Sequence, residues 1–355
     1  MPRILFISRA YPPTLGGIEK QNKSIHDELS RIDDVTLIAN TRGKKFLPLF
    51  FPYAFFRSLF YLRRIDVILL GDGALAPLGW VLSLVSGKPV VSIIHGLDVT
   101  FANQLYQAVF VRFALKRMDK LIAVGNETIR QAVIRGIAPE RCVYVSNGVD
   151  QALKTVGRQQ ALDQLQLNAT NIHLLTLGRL VRRKGVAWFV KHVMPTLPEN
   201  VVYLIAGDGP DKPAIEHAIQ KQQLDATVRL LGRVSEEDKL LLYSAADVFV
   251  QPNIPVEGDM EGFGLVVLEA GMYGLPVVAS RLEGLKDAIH EGSNGELVTP
   301  RDQAAYRETI LRLASDAKYR ATSGARAKTY VAEHLGWHKI ARQYHDEISK
   351  LLSQA

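Results

Sequence analysis

Short runs of aliphatic and β-branched residues recur along this chain, each followed by a longer segment with helical spacing. Alternation of that kind builds a parallel sheet, because a parallel strand pair needs a crossover that is usually a helix. The first series of runs falls at 3–8, 35–39, 66–70, 90–94, 120–124 and 142–146, and the second at 173–178, 201–207, 228–232, 247–251, 276–280 and 295–299. Most are apolar at nearly every position, as strands covered on both faces must be. The pattern predicts an α/β protein of two doubly wound Rossmann-like domains facing each other across a cleft. A length of 355 residues also exceeds one ordinary core. The polar stretch 150–170 reads as a linker, which puts the domains at 1–155 and 165–335. Residues 337–353 read as an amphipathic helix after the last strand–helix unit.

Hydrophobic residues at 47% and charged residues at 22% are those of a globular chain, not a disordered or fibrous one. Cys142 is alone, so no intramolecular disulfide can form, and a reducing cytoplasm is the expected compartment. The chain enters ILFIS directly, too short an apolar run for a signal peptide. No stretch reaches about 18 uninterrupted apolar residues, so no membrane-spanning helix is expected. The net charge of +7 is carried entirely by residues 1–150, which hold nineteen Lys and Arg against twelve Asp and Glu. Such an excess suits anionic lipid, nucleic acid or acidic substrates, or simply serves solubility.

In doubly wound sheets ligands bind beyond the carboxyl ends of the strands, and there this chain places its unusual residues. After the first strand, Gly16-Gly17 precede a helix that opens at Ile18-Glu19, a start that suits a phosphate or only makes a turn. HGLD puts His95 and Asp98 beyond the fourth strand, in structural or functional roles. GRLVRRKG brings Arg179 and Lys184 to one loop, where they would offset charge on a departing diphosphate or form a solvated basic surface. The spacing is not that of a P-loop, and no GxGxxG follows the first strand, which disfavours a nicotinamide dehydrogenase. AGDGP, with Gly207, and LGRV, with Arg233 and Val234, would together wall a base and ribose.

DMEGFGLVVLEA, residues 259–270, sets Glu261 and Glu269 eight positions apart. On a helix that offset is roughly 12 Å of rise, too far for a shared proton, so the pair reads as two holds on one long ligand. Amides of Phe263, Gly264 and Leu265 at a helix start would donate to sugar hydroxyls while Glu261 accepts. A divalent-metal reading of Glu257, Asp259 and Glu261 is the lesser alternative.

GGIE, HGLD, SNGVD, GRLVRRKG, GDGP and EGFGLVVLEA, in this order across nearly the whole chain, resemble the retaining glycosyltransferases of family 4, which have the GT-B fold. The resemblance implies that Arg179 and Lys184 bind the diphosphate of a UDP- or GDP-sugar. Glu261 with Phe263, Gly264 and Leu265 would hold the transferred sugar, Glu269 the ribose, and Arg233 and Val234 would flank the base. Gly16, Gly17 and Gly207 would approach the donor, His95 the reaction centre, and Glu19 and Asp98 would lie on the acceptor side. It also implies that the last helix, about 337–355, packs back on the first domain, that transfer retains configuration by front-face attack, and that neither metal nor other cofactor is required. The long loop NIPVEGDMEG resembles a subset that includes mannosyltransferases acting on phosphatidylinositol lipids. A sugar-nucleotide 2-epimerase, a phosphorylase or a non-catalytic sugar-nucleotide sensor would share the fold.

The segment 44–64 carries six phenylalanines and two tyrosines between Lys44, Lys45 and Arg63, Arg64. That composition fits either an interfacial segment on anionic lipid or a core helix with basic ends. With a lipid-linked or saccharide acceptor, the expected setting is peripheral, at the cytoplasmic face of the cell membrane, in polysaccharide or glycolipid synthesis. Nucleic acid is not an expected partner.

Overall fold

The computed structural model describes residues 1–14, 16–151 and 154–354, with the side chain of Lys44 outside the described set. The chain forms two compact units. The first comprises Met1–Gly148, Gly258–Phe263 and Gly336–Ala355, and the second Val149–Glu257 and Gly264–Leu335.

In the first unit six parallel strands, β1 (Arg3–Ser8), β2 (Asp34–Ala39), β3 (Val67–Leu70), β4 (Val90–Ile94), β5 (Lys120–Ala123) and β6 (Cys142–Tyr144), pair in the order β2-β1-β3-β4-β5-β6. β1, β3 and β4 are buried at almost every position, as their unbroken apolar sequences require. Right-handed crossovers fix where the helices go. The connection β1 to β2 runs one way along the sheet and every later one runs the other way. Helix Gly17–Leu29 therefore covers one face, where the C-terminal helix Trp337–Gln354 packs on it. Helices Leu47–Leu59, Ala76–Ser86 and Asn126–Ile134 cover the other face, with the turns of 104–114.

The second unit is also a six-stranded doubly wound sheet, with two strands rather than one beyond its first strand. β7 (Ile172–Leu177), β8 (Val201–Ala206), β9 (Val228–Gly232), β10 (Val248–Gln251), β11 (Val277–Ser280) and β12 (Glu296–Val298) pair in the order β12-β11-β10-β7-β8-β9, all parallel. All twelve expected strands are present, with ends displaced by a residue or two. The polar stretch read as a linker differs: it contains the helix Arg158–Gln164, because Ala161 and Leu162 bury against Ala245 with Leu241 alongside.

The order of each sheet sets a switch point, at β1/β3 in the first and β7/β10 in the second. At the second, the loops that leave β7 and β10 are tied backbone to backbone. The Ile254 N–H donates to the Arg183 carbonyl at 2.9 Å. Gly185 adopts a left-handed φ of 67°, and a methyl group on it would lie 1.9 Å from the Pro252 carbonyl oxygen. Gly232 has nearly the same φ, 68°, with nothing within 4 Å of the position a methyl would take. Gly232→Ala is therefore expected to cost about 1 kcal/mol, the left-handed penalty alone, and Gly185→Ala about 2 kcal/mol more through the clash. Urea unfolding of the two variants measures the difference, and equal costs would contradict the packing described.

Candidate active site

In the first unit the switch point holds an ion pair. Arg9, one residue past β1, donates from Nε to Asp72 Oδ1 at 2.8 Å, and Asp72 follows β3 by two residues. Burial works against the Arg9 charge, but Asp72 and, further off, Asp98 and Tyr106 outweigh it, and the guanidinium pKa is raised above its ordinary value. Burial first, then the charges of Asp98 and Asp72, push the Tyr106 phenol upward as well. Its hydroxyl is a neutral donor to the Asp98 carbonyl at 2.9 Å.

His95 and Asp98 sit just past β4, and both are buried. The carboxylate of Asp98 accepts from the amides of Gly73, His95 and Gly96, each at 2.9 Å, which pins the β4 loop to the β3 loop. These contacts assign Asp98 a scaffolding task, whatever else it touches. The ring of His95 is oriented in turn: Nε2–H donates to the Gly71 carbonyl at 2.9 Å, since a carbonyl can only accept. Against this loop lies part of the acidic motif. A methyl on Gly262 would sit 2.2 Å from the His95 carbonyl oxygen, and Met260 packs over Gly96. Buried Glu261 and buried Phe263 belong to this unit too, so His95 and the Glu261 segment are neighbours. Gly16 caps helix Gly17–Leu29 with the Glu19 carboxylate folded over it.

In the second unit, Gly178 ends the β7 run and exposed Arg179 follows. Residues Arg182–Lys184 form one tight helical turn that buries Lys184. The neighbouring loops are zipped beside it: Gly178 N–H donates to the Ala206 carbonyl at 3.0 Å, Leu180 N–H to Asp208 at 3.0 Å and Gly207 N–H to Gly232 at 2.7 Å. Gly178, Gly207 and Gly232 thus form one narrow shelf beyond β7, β8 and β9. Exposed Arg233 faces Asp208 at 3.8 Å, a solvated pair of little energetic weight, and half-buried Val234 follows.

Beyond β10, Gly264 takes a left-handed conformation and caps the helix Leu265–Met272. Only this part of DMEGFGLVVLEA is helical, and the boundary between the units falls between Phe263 and Gly264. Glu269 is buried in the fifth position of that helix and is not left alone. The Lys239 ammonium lies 2.9 Å from its Oε2, and the Tyr243 hydroxyl donates to the same oxygen at 3.1 Å. Burial, then the Glu269 charge, raise the Tyr243 phenol well above its usual value, so it stays a donor. Lys239 and Tyr243 occupy positions i and i+4 of helix Glu236–Ala245, which puts both on one face. Among the described residues no three His, Cys, Asp or Glu side chains are gathered as a metal-holding group.

Arg9, Asp72, Lys239 and Tyr243 were not singled out from sequence. Arg9 and Asp72 are 63 positions apart, and their one legible signal was a charge immediately beyond a strand. Lys239 and Tyr243 showed only a helical i, i+4 spacing with no hint of an acid to face.

Two family models match this chain: Glycosyltransferase Family 4 over residues 8–153 and Glycosyl transferases group 1 over residues 157–330. The chain belongs to the family 4 glycosyltransferases. It is 31% identical over 230 residues to a D-inositol 3-phosphate glycosyltransferase of Corynebacterium efficiens, an overlap of 61% of this chain and 52% of that protein. It is 24% identical over 267 residues to an N-acetyl-alpha-D-glucosaminyl L-malate synthase of Bacillus anthracis, covering 72% of this chain and 66% of the other. The chain thus spans about half the length of the first relative. Among solved structures, Anabaena Alr3699/HepE in complex with UDP superposes with a TM-score of 0.81 at 20% identity, over 98% of this chain and 100% of that one. Sucrose-phosphate synthase from Thermosynechococcus elongatus gives 0.80 at 21% identity, over 99% and 100%. These likenesses establish the GT-B fold.

Lys239→Met takes the Lys239 ammonium away from the buried Glu269 carboxylate and is expected to destabilise the second unit by about 2 kcal/mol. Glu269→Gln in the same chain should recover most of that loss. A double-mutant cycle by chemical denaturation checks the coupling, and additive effects would show the pair to be incidental.

Proposed function

We propose that the protein is a retaining glycosyltransferase that moves a sugar from a UDP- or GDP-sugar to an acceptor hydroxyl. The observation that carries this reading is the second unit's switch point. There a buried lysine, a glycine shelf and a clamped glutamate flank the crevice in which doubly wound sheets hold nucleotides. Neighbours in complex with UDP and with UDP-glucose support the uridine donor in particular.

Lys184 and Arg179 hold the diphosphate and offset the negative charge that grows on it as it leaves, so no metal is required. Glu269, paired with Lys239, accepts from the ribose hydroxyls. Glu261 with the Phe263, Gly264 and Leu265 segment holds the sugar to be transferred, and His95, ring fixed through Nε2, lies at the reaction centre. Gly16, Gly17 and Gly207 let backbone approach the donor, and Arg233 and Val234 flank the base. The acceptor oxygen bonds to the anomeric carbon on the face the diphosphate leaves, the carbon–phosphate-oxygen bond breaks, and the acceptor proton passes to the departing phosphate oxygen. Retention follows from that shared face. The acceptor is a lipid-linked glycan or glycolipid, reached from the cytoplasmic side by a peripherally bound enzyme.

A thermal-shift panel of UDP- and GDP-sugars tests the donor, since a ligand that binds only the folded state raises its melting temperature. One of them should stabilise the chain, and Lys184→Ala should abolish the effect. Glu269→Ala should mainly raise KM for donor, by roughly tenfold, while Glu261→Ala mainly lowers kcat, with transfer unaffected by EDTA. If no nucleotide sugar and neither UDP nor GDP shifts the transition, the reading fails.

A further inference from the structure

Of the sixteen large apolar side chains exposed among the described residues, fourteen lie between Leu49 and Ile134. The right-handed crossovers put their helices on one face of the first sheet. Helix Leu47–Leu59 shows why this is not ordinary packing. Phe50, Ala54 and Ser58 bury one stripe against the sheet, yet the opposite stripe, Leu49, Tyr53, Phe56 and Phe60, is apolar as well. Phe56 is 63% exposed and Phe60 74%. A helix that is apolar all round normally lies wholly inside a protein or a membrane; this one is half in and half out.

The apolar surface continues across neighbouring helices. Helix Ala76–Ser86 adds exposed Leu84 and Val85, and 104–114 adds Leu105, Val109 and Phe113 at four-residue intervals. The Trp80 and Phe113 rings meet edge to face, with centroids 4.8 Å apart, which joins these two elements.

The charges of the same region are one-sided. Residues 41–118 contain ten Lys and Arg against three Asp. Of the three, Asp72 and Asp98 are buried, and Asp66 is taken up by Arg3. Lys45, Arg57, Arg63 and Arg64 are exposed in or next to the aromatic helix, and Arg112 and Lys116 are exposed in and after the 104–114 segment. Some bases lie along rings, as with the Arg117 guanidinium 3.9 Å from the Phe113 centroid and Arg57 5.2 Å from Tyr61. Cations over aromatic rings, with apolar tips projecting past them, match a headgroup layer above acyl chains. A second copy would oppose this positive face to itself and be repelled.

We infer that this three-helix face is a docking surface for an anionic phospholipid bilayer. Phe56, Phe60 and Leu105 enter the acyl boundary, while the flanking Lys and Arg bind headgroups. The aromatic helix is thus both core and interface, so the two readings its sequence allows apply to opposite stripes of one element. No helix among the described residues is long and apolar enough to cross a membrane, and the contact inferred here is one of surface side chains. The inference deepens the proposed lipid-side acceptor, but its evidence is this surface alone.

Co-sedimentation of the full chain with phosphatidylcholine vesicles, with and without phosphatidylglycerol, tests it. Binding is expected only with phosphatidylglycerol. Phe56→Ser and Phe60→Ser should each lower the partition coefficient by about tenfold, and Lys45→Glu with Arg64→Glu should erase the preference for anionic lipid. The serine variants should keep their thermal shift with nucleotide sugar, which shows an intact fold and separates this inference from the transferase reading. Vesicle binding indifferent to these substitutions would overturn it. So would a wild-type dimer that ignores vesicles and that Phe60→Ser makes monomeric.

Discussion

The second unit depends on a backbone contact at which no side chain fits. Gly185 lies so close to the Pro252 carbonyl that a Cβ is excluded, and Ile254 bonds to Arg183 across the same seam. Those two contacts lock the loop that leaves β7 to the loop that leaves β10, at the one place in the sheet where adjacent strands send their crossovers in opposite directions. Lys184 is buried because it sits inside this seam. Carrying a lysine into a buried position has a desolvation cost that only a partner or a ligand charge offsets. A rigid seam that carries a cation is what preorganised stabilisation of a leaving diphosphate requires.

The first unit solves the same geometric problem with side chains. Its switch point is bridged by Arg9 and Asp72, and the adjacent loop is held by Asp98 accepting three backbone amides. One locked loop orients the His95 ring, and the Gly262 backbone rests against the same residue. Both sheets are six-stranded, parallel and doubly wound, but the crossovers reverse after one connection in the first and after two in the second, and a buried ion pair bridges the first switch point while glycine contacts close the second.

How much of this was legible in the chain depended on range. Strands were, because an apolar run buried on both faces leaves little choice of element, and glycine-bearing loops followed each one. Pairings between distant residues were not. Nothing near Glu269 announces Lys239, thirty positions earlier on another helix, and nothing near Arg9 announces Asp72. Asp98 looked available for a ligand because spacing cannot show that backbone amides already occupy it. The helix at Arg158–Gln164 escaped notice since only Ala161 and Leu162 of its residues are buried. The aromatic segment 44–64 was legible in composition but not in orientation, because which stripe faces the sheet is decided by packing against neighbouring helices.

The central claim is that the locked seam in the second unit binds a diphosphate. Isothermal titration of the full chain and of Lys184→Ala with UDP, UMP and uridine isolates that group. The account predicts that wild type binds UDP at least about tenfold more tightly than uridine. In Lys184→Ala that advantage should largely vanish while uridine affinity stays the same. Equal affinities of wild type for UDP and uridine, or a parallel loss of both in the variant, would contradict it.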